Sequence, residues 1–103
     1  MIDHISIGVS DLERGRRFYT QVLAALGLTQ LRDWPAAAVG YGKKYPEFWI
    51  NHRPGLAASD TGVHICLRAP SAAAVDAFRA AALAAGGTSD GSPGLRPAYN
   101  ARY

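Results

Sequence analysis

The 103-residue chain is 49% hydrophobic and 18% charged, and 11 basic against 8 acidic side chains leave it a net charge of +3. This balance belongs to a globular domain rather than a disordered segment. No apolar run approaches the roughly 20 residues of a membrane span, so no membrane partner is expected. The basic cluster Arg14, Arg16 and Arg17 falls on one predicted helix, where a solvated face is the expectation; nucleic-acid binding would call for a broader basic stripe. Cys66 is the only cysteine, which rules out an internal disulfide, and the opening MIDHISIG lacks the basic-then-apolar plan of a signal peptide. A cytoplasmic protein is expected.

The chain opens with a strand in which Ile5, Ile7 and Val9 alternate with His4, Ser6 and Gly8. Alternation sends the aliphatic side chains to one face and the small or polar ones to the other. A helix follows: Ser10 reads as its N-cap, with Glu13 completing a capping box. Leu12, Tyr19, Val22, Leu23 and Leu26 form its apolar stripe, and Gly27 is its stop. Three short strands are then predicted, at Leu28–Arg32, Ala36–Gly42 and Glu47–Asn51. The third carries the most aromatic and β-branched content. His52 to Gly62 reads as a linker; His52 itself is assigned no role.

A second copy of the opening plan begins after the linker. Shifted by 60 positions, His4 meets His64, Ile5 meets Ile65, Phe18 meets Phe78, Leu23 meets Leu83 and Gly27 meets Gly87. Val63, Ile65, Leu67 and Ala69 alternate with His64, Cys66 and Arg68 as a second strand. A second helix is expected from about Ser71, with Val75, Phe78, Ala82 and Leu83 as its stripe and Gly86-Gly87 as its end. The fold class is therefore α+β, with tandem βαβββ modules forming one curved mixed sheet. The chain divides into module one at about 1–52, a linker at about 53–61 and a partial module two at about 62–103, within a single domain 1–103. Nothing after Gly87 matches Glu47–Asn51, so the second module is expected to lack at least its last strand.

The duplicated plan resembles the vicinal oxygen chelate superfamily, which includes glyoxalase I, bleomycin-resistance proteins and extradiol dioxygenases. The phrases that carry the resemblance are MIDHISIGVSDLERGRRFY, PEFWI, GVHICLRAP and AAAVDAFRAAALAAGG, with GLRPAY leading toward a final hairpin. Metal-dependent relatives draw one ligand from the first and one from the last strand of each unit. The resemblance implies His4 and His64 as the two first-strand ligands of a divalent ion, with Ni, Mn, Fe and Zn all open. Glu47 is the nearest carboxylate for the last-strand position of module one, as ligand or as the catalytic base. Trp49 has the same strand parity and is the other occupant of that position. No residue of this chain matches the fourth ligand.

Three functions follow. The first is a metal-assisted lyase or dioxygenase acting on a substrate with adjacent oxygens, held by His4, His64 and Glu47. The second is metal-free binding of a drug-like or metabolite-like small molecule against Trp49 and Tyr41, with Cys66 lining the cavity and Arg96 meeting an anionic group. The third is an inactive remnant. An incomplete second module would leave an open sheet edge, so a homodimer is expected.

Overall fold

The computed structural model describes residues 1–57, 62–89 and 94. Six elements run in the order β1 (Ile5–Val9), α1 (Leu12–Ala24), β2 (Thr29–Trp34), β3 (Ala38–Gly42), β4 (Pro46–His52) and α2 (Ala72–Ala84). The strands make one curved, unclosed mixed sheet in the order β1-β4-β3-β2. β1 lies parallel to β4, whereas β2–β3 and β3–β4 are antiparallel. The parallel pair needs a crossover, and α1 with the β2–β3 hairpin supplies it.

α1 covers one face of the sheet. Leu12, Val22, Leu23 and Leu26 pack onto Val39, Tyr41, Phe48 and Ile50, with Ile5, Ile7 and Val9 partly buried beside them. The stripe read at helical spacing is thus the core of the protein. Gly15 lets the helix approach closely: a Cβ there would sit 3.3 Å from both Ile50 and Val9 side chains. Gly27, at φ 79°, ends the helix as expected. Its N–H bonds Ala24 O and that of Leu28 bonds Leu23 O, which satisfies two end carbonyls.

The start of α1 differs from the sequence reading. Asp11, not Ser10, is the N-cap: its backbone is extended and its carboxylate accepts from the Arg14 N–H at 3.1 Å. A carboxylate also meets the positive end of the helix, an advantage that the serine hydroxyl lacks. Glu13 instead accepts from Arg16 Nε at 3.2 Å. Arg16 departs from the solvated face as well. Its guanidinium donates to Asp33 Oδ1 at 2.5 Å and to the Pro35 carbonyl at 3.2 Å, tying α1 to the end of β2. Arg14 and Arg17 are exposed, as expected.

The second unit reproduces its helix but not its strand. Ser71 caps α2 by accepting from Ala74 N–H at 3.1 Å, and Gly86 (φ 100°) stops it. Phe78, Ala81 and Ala82 pack toward the core, with α2 lying against α1. Val75 and Leu83 remain exposed. Residues 63–69 form no strand. Leu67 and Ala69 rest on the core, while Val63 is 74% and Ile65 39% exposed. An extended segment is held in a sheet by a ladder partner, and none of the described strands pairs with this one.

Tyr41 illustrates how fully β3 is enclosed. Its side chain is fully buried, its hydroxyl lies 3.0 Å from Thr20 Oγ1, and it donates to the Arg16 carbonyl at 3.4 Å. Burial raises the Tyr41 pKa above the usual phenol value, opposed by the Thr20 hydrogen bond; burial raises that of Tyr19 too. The folded state therefore holds these protons more tightly than the unfolded chain. The stabilisation is complete below about pH 10 and is lost as pH rises past it. Urea unfolding across that range should show a steep alkaline loss of stability in the parent protein and a shallower one in Tyr41→Phe. At neutral pH that variant should lose about 1 kcal/mol, the net worth of a hydrogen bond.

Candidate functional site

The helix takes one face of the sheet, so the chemistry of the other face follows from strand parity. Ile5, Ile7, Phe48 and Ile50 point to the core, which sends Ser6, Gly8, Glu47, Trp49 and Asn51 to the open face. His4, one step before β1, shares the parity of Ser6. In the β1–β4 register Ser6 stands opposite Trp49, and Gly8 opposite Asn51.

Trp49 occupies the middle of this face. Its ring lies over Gly40 of β3, where an added Cβ would come within 3.0 Å of the indole carbons and 2.9 Å of Pro46 Cβ. The Trp34 ring meets it with centroids 5.1 Å apart and planes at 33°. Trp34 is 56% exposed. The two indoles therefore form a partly solvated aromatic platform on a glycine floor. Trp34 was not singled out in the sequence, because β2 runs two residues past its predicted end at Arg32. A register shift between Gln30 and Arg32 helps to set which of its residues face the platform.

His4 and Glu47, two of the predicted metal and acid–base residues, lie at the starts of β1 and β4. His4, Glu47 and Cys66 border a cleft of about 380 Å³ at the edge of the sheet, together with the core-side Ile5, Phe48 and Leu67. His4 Nδ1 lies 2.8 Å from Asp3 Oδ2 in an exposed pair. His64 is exposed and does not border this cleft. Among the described residues no three His, Cys, Asp or Glu side chains converge on one point that could hold a metal ion. As it stands, this donor set does not fit a chelate.

The other predicted contacts divide between faces. Trp49 is on the open face and Cys66 on the cleft wall. Tyr41 is on the opposite side, beneath α1, with its hydroxyl already engaged. The signal for this was present, since Val39 and Tyr41 share parity in a strand whose other positions are alanine and glycine. Arg96 lies outside the described residues.

The opposite end of the face is polar. Asn51 Nδ2 donates to Ser6 Oγ at 2.8 Å and to the Ile7 carbonyl at 2.9 Å. Beside it a turn at Arg53–Leu56, closed by Leu56 N–H to Arg53 O, brings Arg53 and Leu56 side chains over Gly8. A groove on the helix side, between α1 and the end of α2, is lined by Asp11, Arg14, Tyr19 and Gly86 and is separate from the indole platform.

Comparison with known proteins agrees with this architecture. The profile of the Glyoxalase/Bleomycin resistance protein/Dioxygenase superfamily matches residues 1–103. No curated protein matches the chain. Among solved structures, a glyoxalase/bleomycin resistance protein from Albidiferax ferrireducens T118 is 30% identical, with a TM-score of 0.78 over 91% of this chain and 80% of that one. The βαβββ unit, the helix-covered sheet and this match over the full sequence place the chain in the Glyoxalase/Bleomycin resistance protein/Dioxygenase superfamily.

Proposed function

We propose that the protein binds a flat, largely apolar small molecule on the open face of its sheet, by stacking against Trp49 and Trp34. The observation that carries this reading is the indole pair lying over Gly40 at the centre of that face. Indoles offer large, rigid apolar area at low entropic cost, and the polar groups at either end of the face would orient the ligand. The solved relative is a glyoxalase/bleomycin resistance protein, a name compatible with sequestration of a small molecule.

Titration with a panel of planar aromatic compounds should change tryptophan fluorescence saturably without added metal. Trp49→Ala should weaken the best of them at least tenfold. Gly40→Ala should also weaken it, because the new methyl collides with the indole. Absence of any saturable change, or full affinity in Trp49→Ala, would overturn the reading.

A second reading keeps His4, His64 and Glu47 as ligands of a divalent ion in a lyase or dioxygenase, with Glu47 as ligand or base. It is favoured by the cleft that His4 and Glu47 share, and it requires His64 to move toward them. Chelator-treated protein dialysed against Ni²⁺, Mn²⁺, Fe²⁺ or Zn²⁺ should then retain one ion per chain, with loss in His4→Ala and His64→Ala. Under the first reading, affinity for the planar ligand is the same before and after chelation.

We also infer that two copies associate. β1 is an edge strand among the described strands, and Ile2, Val63 and Ile65 are exposed apolar side chains. Sedimentation at micromolar concentration should give a dimer; a stable monomer would contradict this.

A further inference from the structure

The carboxamide of Asn51 is built into the sheet, yet one of its atoms is left without a partner. Its Nδ2 faces the Ile7 carbonyl at 2.9 Å, and a carbonyl only accepts. The atom there must be the nitrogen, which leaves Oδ1 as the other end. That oxygen is buried and has no hydrogen-bond partner. Buried side-chain acceptors are rarely left so, because they keep the cost of desolvation without a bond in return.

Ser6 supplies the complementary group. Its Oγ accepts from Asn51 Nδ2 at 2.8 Å, so its own hydroxyl proton is available to donate, and the residue is exposed. An acceptor and a donor are thereby linked through the Asn51 carboxamide, whose nitrogen holds Ser6 Oγ. Ser6 stands opposite Trp49 in the strand register, and Asn51 is two residues along β4 from Trp49, about 7 Å away on the same face. Opposite Asn51 is Gly8, which places no side chain in the way. Asn51, Gly8 and the Arg53–Leu56 turn line an open surface cleft of about 570 Å³.

We infer that Asn51 Oδ1 and the Ser6 hydroxyl form the polar edge of the ligand site. They accept from the N–H and donate to the carbonyl of a cyclic amide whose ring stacks on Trp49. This rests on the stacking proposal and narrows it to one ligand class, planar lactams and imides. A purely apolar ring would leave Oδ1 unpaired; a ring bearing an anion alone would bring it no donor. The proposal requires the Arg53 and Leu56 side chains, which lie beside Gly8 on a surface turn, to give way to the ligand.

Calorimetry with carbostyril, a bicyclic lactam, and its N-methyl derivative separates the two ideas. The parent protein should bind carbostyril at least tenfold more tightly than the N-methyl compound, which lacks the N–H. In Asn51→Thr that ratio should fall below about threefold, whereas Ser6→Ala, which removes the donor to the carbonyl that both compounds carry, should weaken both by a similar factor of at least threefold. Ser6→Ala retains the Asn51 bond to Ile7 and therefore serves if Asn51→Thr does not fold. Equal affinity of the parent protein for both compounds would overturn this inference and leave stacking intact. Undiminished affinity of Ser6→Ala for both compounds would also overturn it. Binding of neither compound would overturn it too, and the Trp49→Ala panel would then decide separately whether stacking stands.

Discussion

The parallel pairing of β1 with β4 is the constraint on which the rest of the structure depends. Its register, Ile5 to Phe48 through Val9 to His52, puts two runs of aliphatic and aromatic side chains on the same face. That face must be covered, and α1 covers it, with Gly15 allowing close approach. A slip of one residue would expose the core set and bury His4, Ser6, Glu47 and Trp49. The same pairing therefore makes both the core and the open face.

Given that sorting, the centre of the open face is decided by size. Gly40 and Trp49 lie opposite each other in the β3–β4 register, so the large ring fills the space that the glycine leaves. Trp34 then completes the platform from β2. Charged and polar groups lie at the ends, with His4 and Glu47 at one and Asn51 beside the Arg53 turn at the other. A face arranged this way presents apolar area in the middle and orienting polar groups at the rim, the usual plan of a small-molecule site.

Much of this was legible in the residues. The alternation of Ile5, Ile7 and Val9, the helical spacing of Leu12, Val22, Leu23 and Leu26, and the glycine stops are local signals with fixed periods. They located both helices and all four strands of the sheet. The N-cap was missed by one residue because Ser10 and Asp11 are adjacent and both cap well; only backbone geometry separates them. Arg16 was read as solvated because its partner, Asp33, is distant in sequence and is brought close by the β2–β3 hairpin. Trp34 was missed for a similar reason, since its contact with Trp49 joins two strands separated by β3. The 63–69 segment carries strand alternation, but alternation does not supply a ladder partner. Repeat symmetry in the sequence thus survives in the helices, whose hydrogen bonds are internal, and not in the strand, whose bonds must come from elsewhere.

The central claim is that Trp49 stands on the open face, opposite Ser6 and against Trp34. Nuclear Overhauser spectroscopy on the isotope-labelled protein tests it most directly. Cross-peaks between the two indole rings, and between the backbones of Ser6 and Trp49, are predicted. Cross-peaks from the Trp49 ring to Val22 or Leu23 of α1 instead would place it in the core and contradict the sorting of faces from which the site is built.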